Sequence, residues 1–563
     1  MQSRWVFPDP TREPTAQSFA RELAVPLFVA RFLAGKGFDR AEEADGFLNP
    51  RLKTLGDPFE LPGMAAAVDR LDVALRRKER VVLYGDYDVD GVASLALLAR
   101  ALREFGGDAS CFLPVRADEG YGLSTAGIAR CFETFRPQLL IAVDCGTNSV
   151  AEVAEAKRRG ADVIILDHHE PGGGPLPDCV ALVNPKVDGS ADYLCSVGLV
   201  FKLCHALLKR APLPGFDLKD YLDFVALGTL ADLVPLVEEN RVLVRRGLAQ
   251  MATTRWCGLA ALMEVSGVRP PVRGTDVGFR LGPRINAAGR LANAEQALEL
   301  MLTDDPAVAR RLAAKLDEQN RERQAVERSV VREAEEWVAA NFDPARHISI
   351  VVGARDWHPG VVGIVASRLC RRFHRPSLVV GFNGDGMGKG SGRSIDGLSL
   401  VEALGRCGSL LAAFGGHEMA AGLSVHEENF EAFRAAFEEA AASMTHPEML
   451  VSRLQLDAEV DLHDLSLSVL DAQDMLEPFG MANSQPVLVA RAVSPAGEPR
   501  VLKEKHLKLE FIGERRRMSA IFFNGAENAL PRPPWDLAFR LERNEFQGNV
   551  SPQIQVVAIR SAA

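Results

Sequence analysis

Three aspartates stand at alternate positions in one short stretch of the sequence. Residues 81–91 read VVLYGDYDVDG, so that an apolar run and a glycine precede Asp86, Asp88 and Asp90. Two like charges about 4 Å apart repel by about 1 kcal/mol in bulk water, and by several times more where water is partly excluded. The stretch therefore indicates that a positively charged species from outside the chain neutralises these carboxylates.

Acidic and imidazole side chains also follow other apolar runs. They are Asp144 in AVDCG, Asp167, His168 and His169 in ILDHH, and Asp232 in GTLADLVPL. One aspartate after a strand is most often a helix cap, but four such sites in one chain are harder to explain in that way. Because ligand sites in open parallel sheets form beyond the carboxyl ends of the strands, we expect these residues to converge there. Asp232 is expected to join them from a helix end.

Carboxylates combined with a neutral imidazole are suited to a hard or borderline divalent cation such as Mn²⁺ or Mg²⁺. The nine cysteines contain no CxxC pair, which argues against a thiolate zinc site and a disulfide framework. Two cations about 3.5 to 4 Å apart can clamp a phosphodiester, activate a water and stabilise the leaving oxygen. The pattern thus predicts a phosphoester hydrolase that uses two Mn²⁺ or Mg²⁺ ions.

The elements that must position these residues form an α/β domain. From residue 81 onward, short runs that are apolar throughout alternate with helical stretches, which is typical of a parallel sheet covered on both faces. We assign residues 61–305 to this domain. Residues 1–60 are predicted to form a helical N-terminal extension packed onto it.

The remaining chain predicts three further parts. A charged stretch without internal glycine, 306–342, is expected to be a connector helix. A second α/β domain, 343–447, contains the glycine-rich segments GDGMGKGSGRS and FGGHEMAAG. Short strand-like runs separated by turn residues in 448–563 predict a small all-β domain resembling an OB-fold barrel.

Composition sets broad limits on function. The chain has 563 residues, of which 47% are hydrophobic and 25% charged, as expected for an ordinary globular protein of several domains. Its net charge of −10 argues against a uniformly basic nucleic-acid binder but allows a local basic groove. We find neither an apolar leader nor an apolar run of about 18 residues, and so expect a cytoplasmic protein.

Several motifs resemble known families. GDYDVDG, AVDCG, LDHH and GTLADLVPL resemble the four motifs of the DHH phosphoesterase superfamily, and WHPGVVGIVASRL, KGSGRS and FGGHEMAAG resemble its DHH-associated second domain. RADEGYGLS, LGPRINAAGRL, LDEQNRERQ and FLNPRLKTLGDPFELPGMAAAV resemble the RecJ family of single-strand-specific DNA exonucleases, in the right order over nearly the whole chain. This resemblance implies processive 5′ to 3′ degradation of single-stranded DNA in recombination and repair, dependent on Mn²⁺ or Mg²⁺.

The resemblance also implies roles for residues. The implied metal ligands are Asp86, Asp88, Asp144, His168 and Asp232, with Asp144 as a bridge and Asp90 beside the cluster as a further candidate ligand. His169 would contact the scissile phosphate and assist protonation of the leaving oxygen. Asp167 would orient a histidine through its second ring nitrogen, the alternative being a simple turn former.

Binding of a 5′ terminal phosphate is implied for Ser391 and Arg393 in KGSGRS, because guanidinium groups donate two hydrogen bonds to phosphate oxygens. Without the resemblance, a glycine-rich loop alone is weak evidence and more often a plain turn. Further candidate contacts to the DNA strand or the surrounding cleft are Arg116, Asn286, Arg290, Gln319, Gly415, Gly416 and His417.

The C-terminal domain contains a basic stretch, 500–518, with seven lysines or arginines and three glutamates. This composition suits either a solvated face or an OB-fold groove for single strands. Candidate stacking residues are Phe511, Phe522, Phe523 and Phe546, most of which we expect in the core. Where relatives in the family often read FGxGN, this chain reads FGMANSQP at 479–486.

Two rival functions are weighed against this interpretation. An enzyme of the same superfamily acting on short RNA or small nucleotides would not need the C-terminal domain. An inactive DNA-binding scaffold would be expected to lack metal ligands that are all present here. We hypothesise that the two α/β domains and the connector leave a channel too narrow for a duplex. The resemblance further suggests a monomer that cooperates with a single-strand-binding protein and a RecQ-type helicase.

Overall fold

The computed structural model describes residues 3–115, 119–120, 122–291, 294–512, 517–527 and 529–562, except for the side chains of Arg290, Leu291 and Phe546. Two compact units are present. One consists mainly of Ala314–Leu454, and the other comprises Val6–Asn286, Ala294–Ala313 and Gln455–Ala563. Across the described residues, no helix is both long enough and apolar enough to cross a bilayer.

The chain begins with a short strand, β1 (Arg4–Val6), and three helices, Glu13–Glu22, Leu27–Gly35 and Ala41–Leu48. The first sheet follows. Its five strands are all parallel and lie in the order β3-β2-β4-β5-β6. They are β2 (Val81–Gly85), β3 (Ala109–Phe112), β4 (Leu139–Val143), β5 (Asp162–Leu166) and β6 (Ala181–Val183).

The strands β2 and β4 are buried along their full length, as expected for runs without polar alternation between two layers of helices. The helices of this region are Met64–Arg77, Val89–Glu104, Thr125–Phe135, Val150–Arg158, Pro185–Asp188, Ser196–Arg210, Leu222–Ala231, Glu238–Met251, Cys257–Val265, Gly274–Asp276, Gly282–Leu291 and Glu295–Leu302. A π-helical turn, Val277–Leu281, precedes Gly282–Leu291. The strand order reverses at β2, which has β3 on one side and β4 on the other.

The second sheet is mixed, with the order β10-β11-β9-β8-β7. It follows the 36-residue helix Pro306–Asn341. Its strands are β7 (Ile350–Arg355), β8 (Ser377–Phe382), β9 (Met387–Arg393), β10 (Ala413–Gly416) and β11 (Ala420–His426), and its helices are Pro359–Phe373, Leu400–Arg406 and Phe430–Met444. Only β7 and β8 run parallel, and the other neighbouring pairs are antiparallel.

The C-terminal region forms a seven-stranded sheet in the order β13-β14-β18-β19-β17-β16-β15. After β12 (Arg453–Gln455), which pairs with β1, its elements are β13 (Ala458–Glu459), the helix Leu467–Asp474, β14 (Leu488–Val493), β15 (Arg500–Leu502), β16 (His506–Ile512), β17 (Arg517–Phe522), β18 (Trp535–Phe546) and β19 (Asn549–Ser561). The predicted fold class, two α/β parts followed by a β-rich part, is confirmed.

The N-terminal helices contact a part of the chain that the sequence did not predict. Phe19, Phe28 and Leu33 join one hydrophobic core with Phe511 and Phe539 of the C-terminal sheet. An apolar helix face requires a partner but does not specify which one. Polar contacts do connect the end of the third helix to the helix Glu238–Met251, whose arginines donate to main-chain carbonyls there.

Candidate active site

The acidic cluster forms at the carboxyl ends of the strands on either side of the point where the strand order reverses. Asp86 follows β2, Asp144 follows β4 and Asp167 follows β5. Open α/β sheets bind ligands in the crevice at such a point, because the connecting helices diverge there. Asp144 also has a left-handed backbone, with φ of +64°, a conformation that is costly for non-glycine residues and is often retained at functional sites.

Residues far apart in the sequence meet at this edge. The Nε2 atom of His168 lies 3.3 Å from Oδ1 of Asp144 and 3.5 Å from Oδ2 of Asp232. Three sets of side chains each offer ligand atoms within 4.8 Å of one another, namely Asp86 with Asp88 and Asp144, Asp90 with His168 and Asp232, and Asp144 with His168 and His169. Asp144 belongs to two of these sets, and this position is compatible with the prediction that its carboxylate bridges two cations.

Burial leaves the negative charge of the cluster poorly compensated by the protein itself. Burial, followed by the charge of Asp88, raises the pKa of both Asp86 and Asp144 well above the usual range. The same two causes raise the pKa of Asp232 to about 7. Within the described part of the chain, neither carboxylate oxygen of Asp86 accepts a hydrogen bond, although the N–H groups of Tyr87 and Gly122 partly offset the rise in its pKa.

These features fit divalent cations. Carboxylate oxygens that are buried, crowded and without protein donors are stabilised when a cation supplies positive charge. His168 completes the donor set, because burial and the charge of His169 lower its pKa to about 3 and keep the imidazole neutral. Oxygen and imidazole donors suit Mn²⁺ and are compatible with Mg²⁺.

Asp88 and Asp90 also serve as helix caps. Oδ1 of Asp88 accepts hydrogen bonds from the N–H groups of Asp90 and Gly91 at the start of the helix Val89–Glu104. The two oxygens of Asp90 accept from the N–H groups of Ser196 and Val197, at 2.7 and 3.0 Å. The capping role of these residues is compatible with the ligand interpretation of the DxDxDG motif, and metal binding by Asp86, Asp88 and Asp90 stays a prediction.

His169 is held by Asp167. Its Nδ1 atom lies 2.7 Å from Oδ1 of Asp167, whose other oxygen accepts from the N–H of Thr147. Burial alone would lower the pKa of His169, but the hydrogen bond and the charge of Asp167 outweigh it and raise the pKa to about 9. Burial would likewise raise the pKa of Asp167, yet its contacts with His169 and Thr147 keep it below the usual range. The protonated form of His169 is therefore favoured at neutral pH, and its role as a proton donor stays a prediction.

Three polar residues at this edge of the first sheet were not predicted from the sequence. The hydroxyl of Ser196 donates to Oδ1 of Asp144 at 2.8 Å. Asn184 donates to the hydroxyl of Thr147 and to the carbonyl of His169. Only the Asn-Pro pair at 184–185, a turn signal after a short apolar run, marks any of them in the sequence.

A second group of predicted residues lies on the second sheet. Ser391 and Arg393 alternate along β9 and share one face, where Nη1 of Arg393 donates to Oγ of Ser391 at 3.1 Å. The helix Pro359–Phe373 covers this face through Gly363, at which a Cβ atom would come within 3.1 Å of that hydroxyl oxygen. Burial lowers the pKa of Arg393, and this guanidinium forms no ion pair with any described residue.

The predicted glycines continue this row across the sheet. Gly415 of β10 pairs with Gly422 of β11, which in turn pairs with Ser391. Gly416 has a φ of +140°, and a Cβ atom there would lie 2.5 Å from the carbonyl oxygen of Ala420. His417 follows β10 and is exposed. The sheet thus brings together the residues from both glycine-rich segments.

The other predicted contacts are placed individually. Asn286 is half-buried on the helix Gly282–Leu291, and Gln319 is buried on the helix Pro306–Asn341. Arg116 and the side chain of Arg290 lie outside the described residues.

The candidate stacking residues of the C-terminal sheet mostly belong to its core. Phe511 is fully buried and Phe522 packs against the core, whereas Phe523 is exposed. The side chain of Phe546 lies outside the described residues. The segment FGMANSQP forms a turn that contacts the end of the loop carrying Asp232, where the N–H of Leu236 donates to the carbonyl of Met481 at 2.9 Å.

Comparison with known families identifies three domains in the chain. Family models match residues 80–229 (DHH family, N-terminal domain), 347–443 (DHHA1 domain) and 456–558 (RecJ OB domain). The structure is similar to the crystal structure of RecJ in complex with Mn²⁺ from Thermus thermophilus, with a TM-score of 0.84 and 33% identity, covering 100% of this chain and 80% of that one. A Mg²⁺ complex from the same organism gives a TM-score of 0.79 at 31% identity, with 100% and 79% coverage.

Curated relatives agree with this result. The single-stranded-DNA-specific exonuclease RecJ of Bacillus subtilis is 36% identical over 98% of this chain and 70% of its own length. The protein of the same name in Escherichia coli is 34% identical over 94% of this chain and 95% of its own length. Since the similarity extends over all three matched domains and nearly the full length, the chain belongs to the RecJ family.

Proposed function

We propose that this protein hydrolyses phosphodiester bonds of single-stranded DNA from the 5′ end, using two Mn²⁺ or Mg²⁺ ions, in DNA recombination and repair. The observation that carries the proposal is the convergence of buried carboxylates and a neutral imidazole where the strand order of the first sheet reverses. The named activity and the bound metals of the relatives support it.

In this proposal Asp86, Asp88, Asp144, His168 and Asp232 hold the cations, with Asp90 as a further candidate. When bound, such ions polarise the phosphate and lower the pKa of a water. The hydroxyl of Ser196 fixes the orientation of Asp144 through its hydrogen bond. His169 donates a proton to the leaving oxygen, and Asp167 both orients the ring and keeps it protonated.

We further propose that Ser391 and Arg393 bind the terminal 5′ phosphate. A guanidinium without an ion-pair partner among the described residues, beside a hydroxyl and a row of glycines, offers donors to an anion at close approach. Further proposed contacts with the strand or its cleft are Arg116, Asn286, Arg290, Gln319, Gly415, Gly416 and His417.

The proposed setting is the cytoplasm, with the protein acting as a monomer alongside a single-strand-binding protein and a RecQ-type helicase. Family resemblance supports the partners. All nine cysteines are free thiols, which supports a reducing compartment.

The test is product analysis on 5′- and 3′-labelled oligonucleotides, comparing single-stranded DNA, single-stranded RNA and blunt duplex DNA with and without Mn²⁺. We expect mononucleotides released from the 5′ end of single-stranded DNA only when Mn²⁺ is present. Equal rates on blunt duplex DNA would remove the proposed steric exclusion of duplexes. Faster cleavage of short RNA would favour the rival enzyme class, and binding without cleavage would favour a scaffold.

A further inference from the structure

Three large apolar side chains project into solvent from segments that meet at the Asp232 loop. Leu233 is 63% exposed, Met481 52% and Phe279 77%. Scattered single apolar residues on a surface are normal, but a group beside a buried polar site is typical of a binding surface. We call Leu233, Phe279 and Met481 the apolar rim.

Contacts of the main chain place each member of the apolar rim on, or against, the chain segments that flank Asp232. Leu233 directly follows Asp232 and has a left-handed φ of +63°. The carbonyl of Met481 accepts a hydrogen bond from Leu236, at the end of the same loop. Phe279 lies in the π-helical turn Val277–Leu281, which packs against the helix that ends next to Asp232.

The stretch that carries Phe279 also contacts the first acidic motif. Gly282, one residue after the π-helical turn, is so close to its neighbours that an added Cβ would lie 3.4 Å from Ala231 and 3.8 Å from Val89. These two residues are adjacent to Asp232 and to Asp88 and Asp90. Asn286, a proposed strand contact, lies on the helix Gly282–Leu291 that follows this turn. Short π-helical turns are frequently found at functional sites.

We infer that Phe279 stacks on a nucleobase of the single strand close to the scissile phosphate, with Leu233 and Met481 completing an apolar surface for the base. The inference rests on the proposed function and adds to it a contact with the bases. An enzyme that degrades a strand of any sequence needs contacts that every base can make, and the face of a base stacks on an aromatic ring without regard to its hydrogen-bonding pattern. Stacking is also available only when bases are unpaired, so Phe279 favours single strands over duplexes.

The experiment measures steady-state degradation of oligothymidylate by the full-length protein with Mn²⁺, for the wild type, Phe279→Ala, Phe279→Trp and Val73→Ala. Val73 is 37% exposed on the helix Met64–Arg77 and serves as the control for removing an exposed apolar side chain. We expect Phe279→Ala to raise KM about five- to a hundredfold with little change in kcat, and Phe279→Trp to restore the wild-type KM. Thermal unfolding of the variants should be unchanged, because the ring is exposed.

A series of substrates with one abasic site at successive positions from the 5′ end identifies the base that is contacted. At that position the wild type should lose affinity and the difference between wild type and Phe279→Ala should disappear. An unchanged KM for Phe279→Ala would overturn the inference. The apolar rim would then be expected to bind another partner, such as a protein. A penalty that persists with every abasic substrate would also overturn it. A wild-type protein that leaves single-stranded DNA intact would instead overturn the proposed function itself.

Discussion

The first sheet and the second sheet both carry predicted site residues, but with opposite electrostatic character. At the strand ends of β2 and β4, the buried carboxylates of Asp86 and Asp144 crowd together with Asp88, and burial followed by the charge of Asp88 raises their pKa values. On β9 the situation is reversed, since Arg393 is half-buried without a carboxylate partner among the described residues, and burial lowers its pKa.

The difference shows that each sheet presents side chains suited to a ligand of one charge, positive for the first sheet and negative for the second. The carboxylates of the first sheet suit cations and Arg393 of the second sheet suits an anion, and the proposed substrate and its divalent metals would supply both. Uncompensated charge is costly when it is buried, so retaining it in two places indicates binding rather than stability. The predictions below disturb this comparison, beginning with the largest expected effect.

Replacing Asp144 by asparagine should abolish Mn²⁺-dependent cleavage while making the metal-free protein more stable. Because burial raises the pKa of this carboxyl group in the folded state, the group costs stability progressively as the pH rises above the unfolded value of 3.8. Removing that charge should raise the midpoint of thermal unfolding at pH 8 and should have little effect below pH 4. Calorimetry of the metal-free protein at both pH values measures this.

The same substitution should also remove the stabilisation by added Mn²⁺ that the wild type shows, since a ligand that binds only the folded state raises stability. Asp108→Asn, at an exposed turn before β3, changes the charge equally and is the control. Full activity in Asp144→Asn, or a less stable metal-free form, would contradict the electrostatic account of the first sheet.

For the second sheet, Arg393→Gln should weaken the preference for a 5′ phosphate over a 5′ hydroxyl. Hydrogen bonds to charged groups contribute about 1.5–3 kcal/mol, which corresponds to a loss of about ten- to a hundredfold in relative kcat/KM. Cleavage rates on the two kinds of 5′ end give this ratio. Arg346→Gln, at an exposed turn of the same unit, should leave it unchanged, and an unaltered ratio in Arg393→Gln would exclude a phosphate pocket on β9.

Much of the first sheet could be predicted because its sequence patterns lie within short contiguous segments. Each apolar run and the acids that follow it are contiguous in the sequence, and the rule for parallel strand ends then brings Asp86, Asp144 and Asp167 together. Ser196 could not be predicted in this way, since its contact with Asp144 depends on how a helix packs 52 residues away. The contact of the N-terminal helices with the C-terminal sheet was likewise not predicted, because amphipathic patterns do not encode which apolar surface will cover them.

The second sheet was less predictable from pattern alone. Glycine-rich strands lack the apolar alternation that marks a sheet, and without the resemblance a plain turn is the favoured interpretation of KGSGRS. In the structure the segment is part of β9, paired on both sides. The close packing of Gly363 against Ser391 has no sequence signal, since it depends on a helix and a strand meeting in space.

The contact between Asp167 and His169 at the first sheet gives a prediction for the pH dependence of cleavage. Asp167→Asn removes the negative charge that raises the pKa of His169 to about 9, so the protonated form should be lost at a lower pH. We expect kcat/KM to fall about ten- to a hundredfold, as for other partners of site histidines, with the alkaline limb of the pH profile moved toward neutrality. A uniform loss at all pH values would indicate that Asp167 acts through the fold only.

The smallest expected effect comes from changing the spacing between the helix Pro359–Phe373 and the proposed phosphate site on β9. In Gly363→Ala the new methyl group would lie 3.1 Å from Oγ of Ser391 and 3.7 Å from Nη2 of Arg393, so the hydroxyl must shift by a few tenths of an ångström. A misaligned hydrogen bond costs about 0.5–1.5 kcal/mol, and KM for 5′-phosphorylated strands should rise about two- to tenfold with kcat preserved. Gly405→Ala, with open space around it in the helix Leu400–Arg406, is the matched control. If both variants behave alike, the spacing between the helix Pro359–Phe373 and β9 is unimportant for binding, and only the charge of Arg393 distinguishes the second sheet.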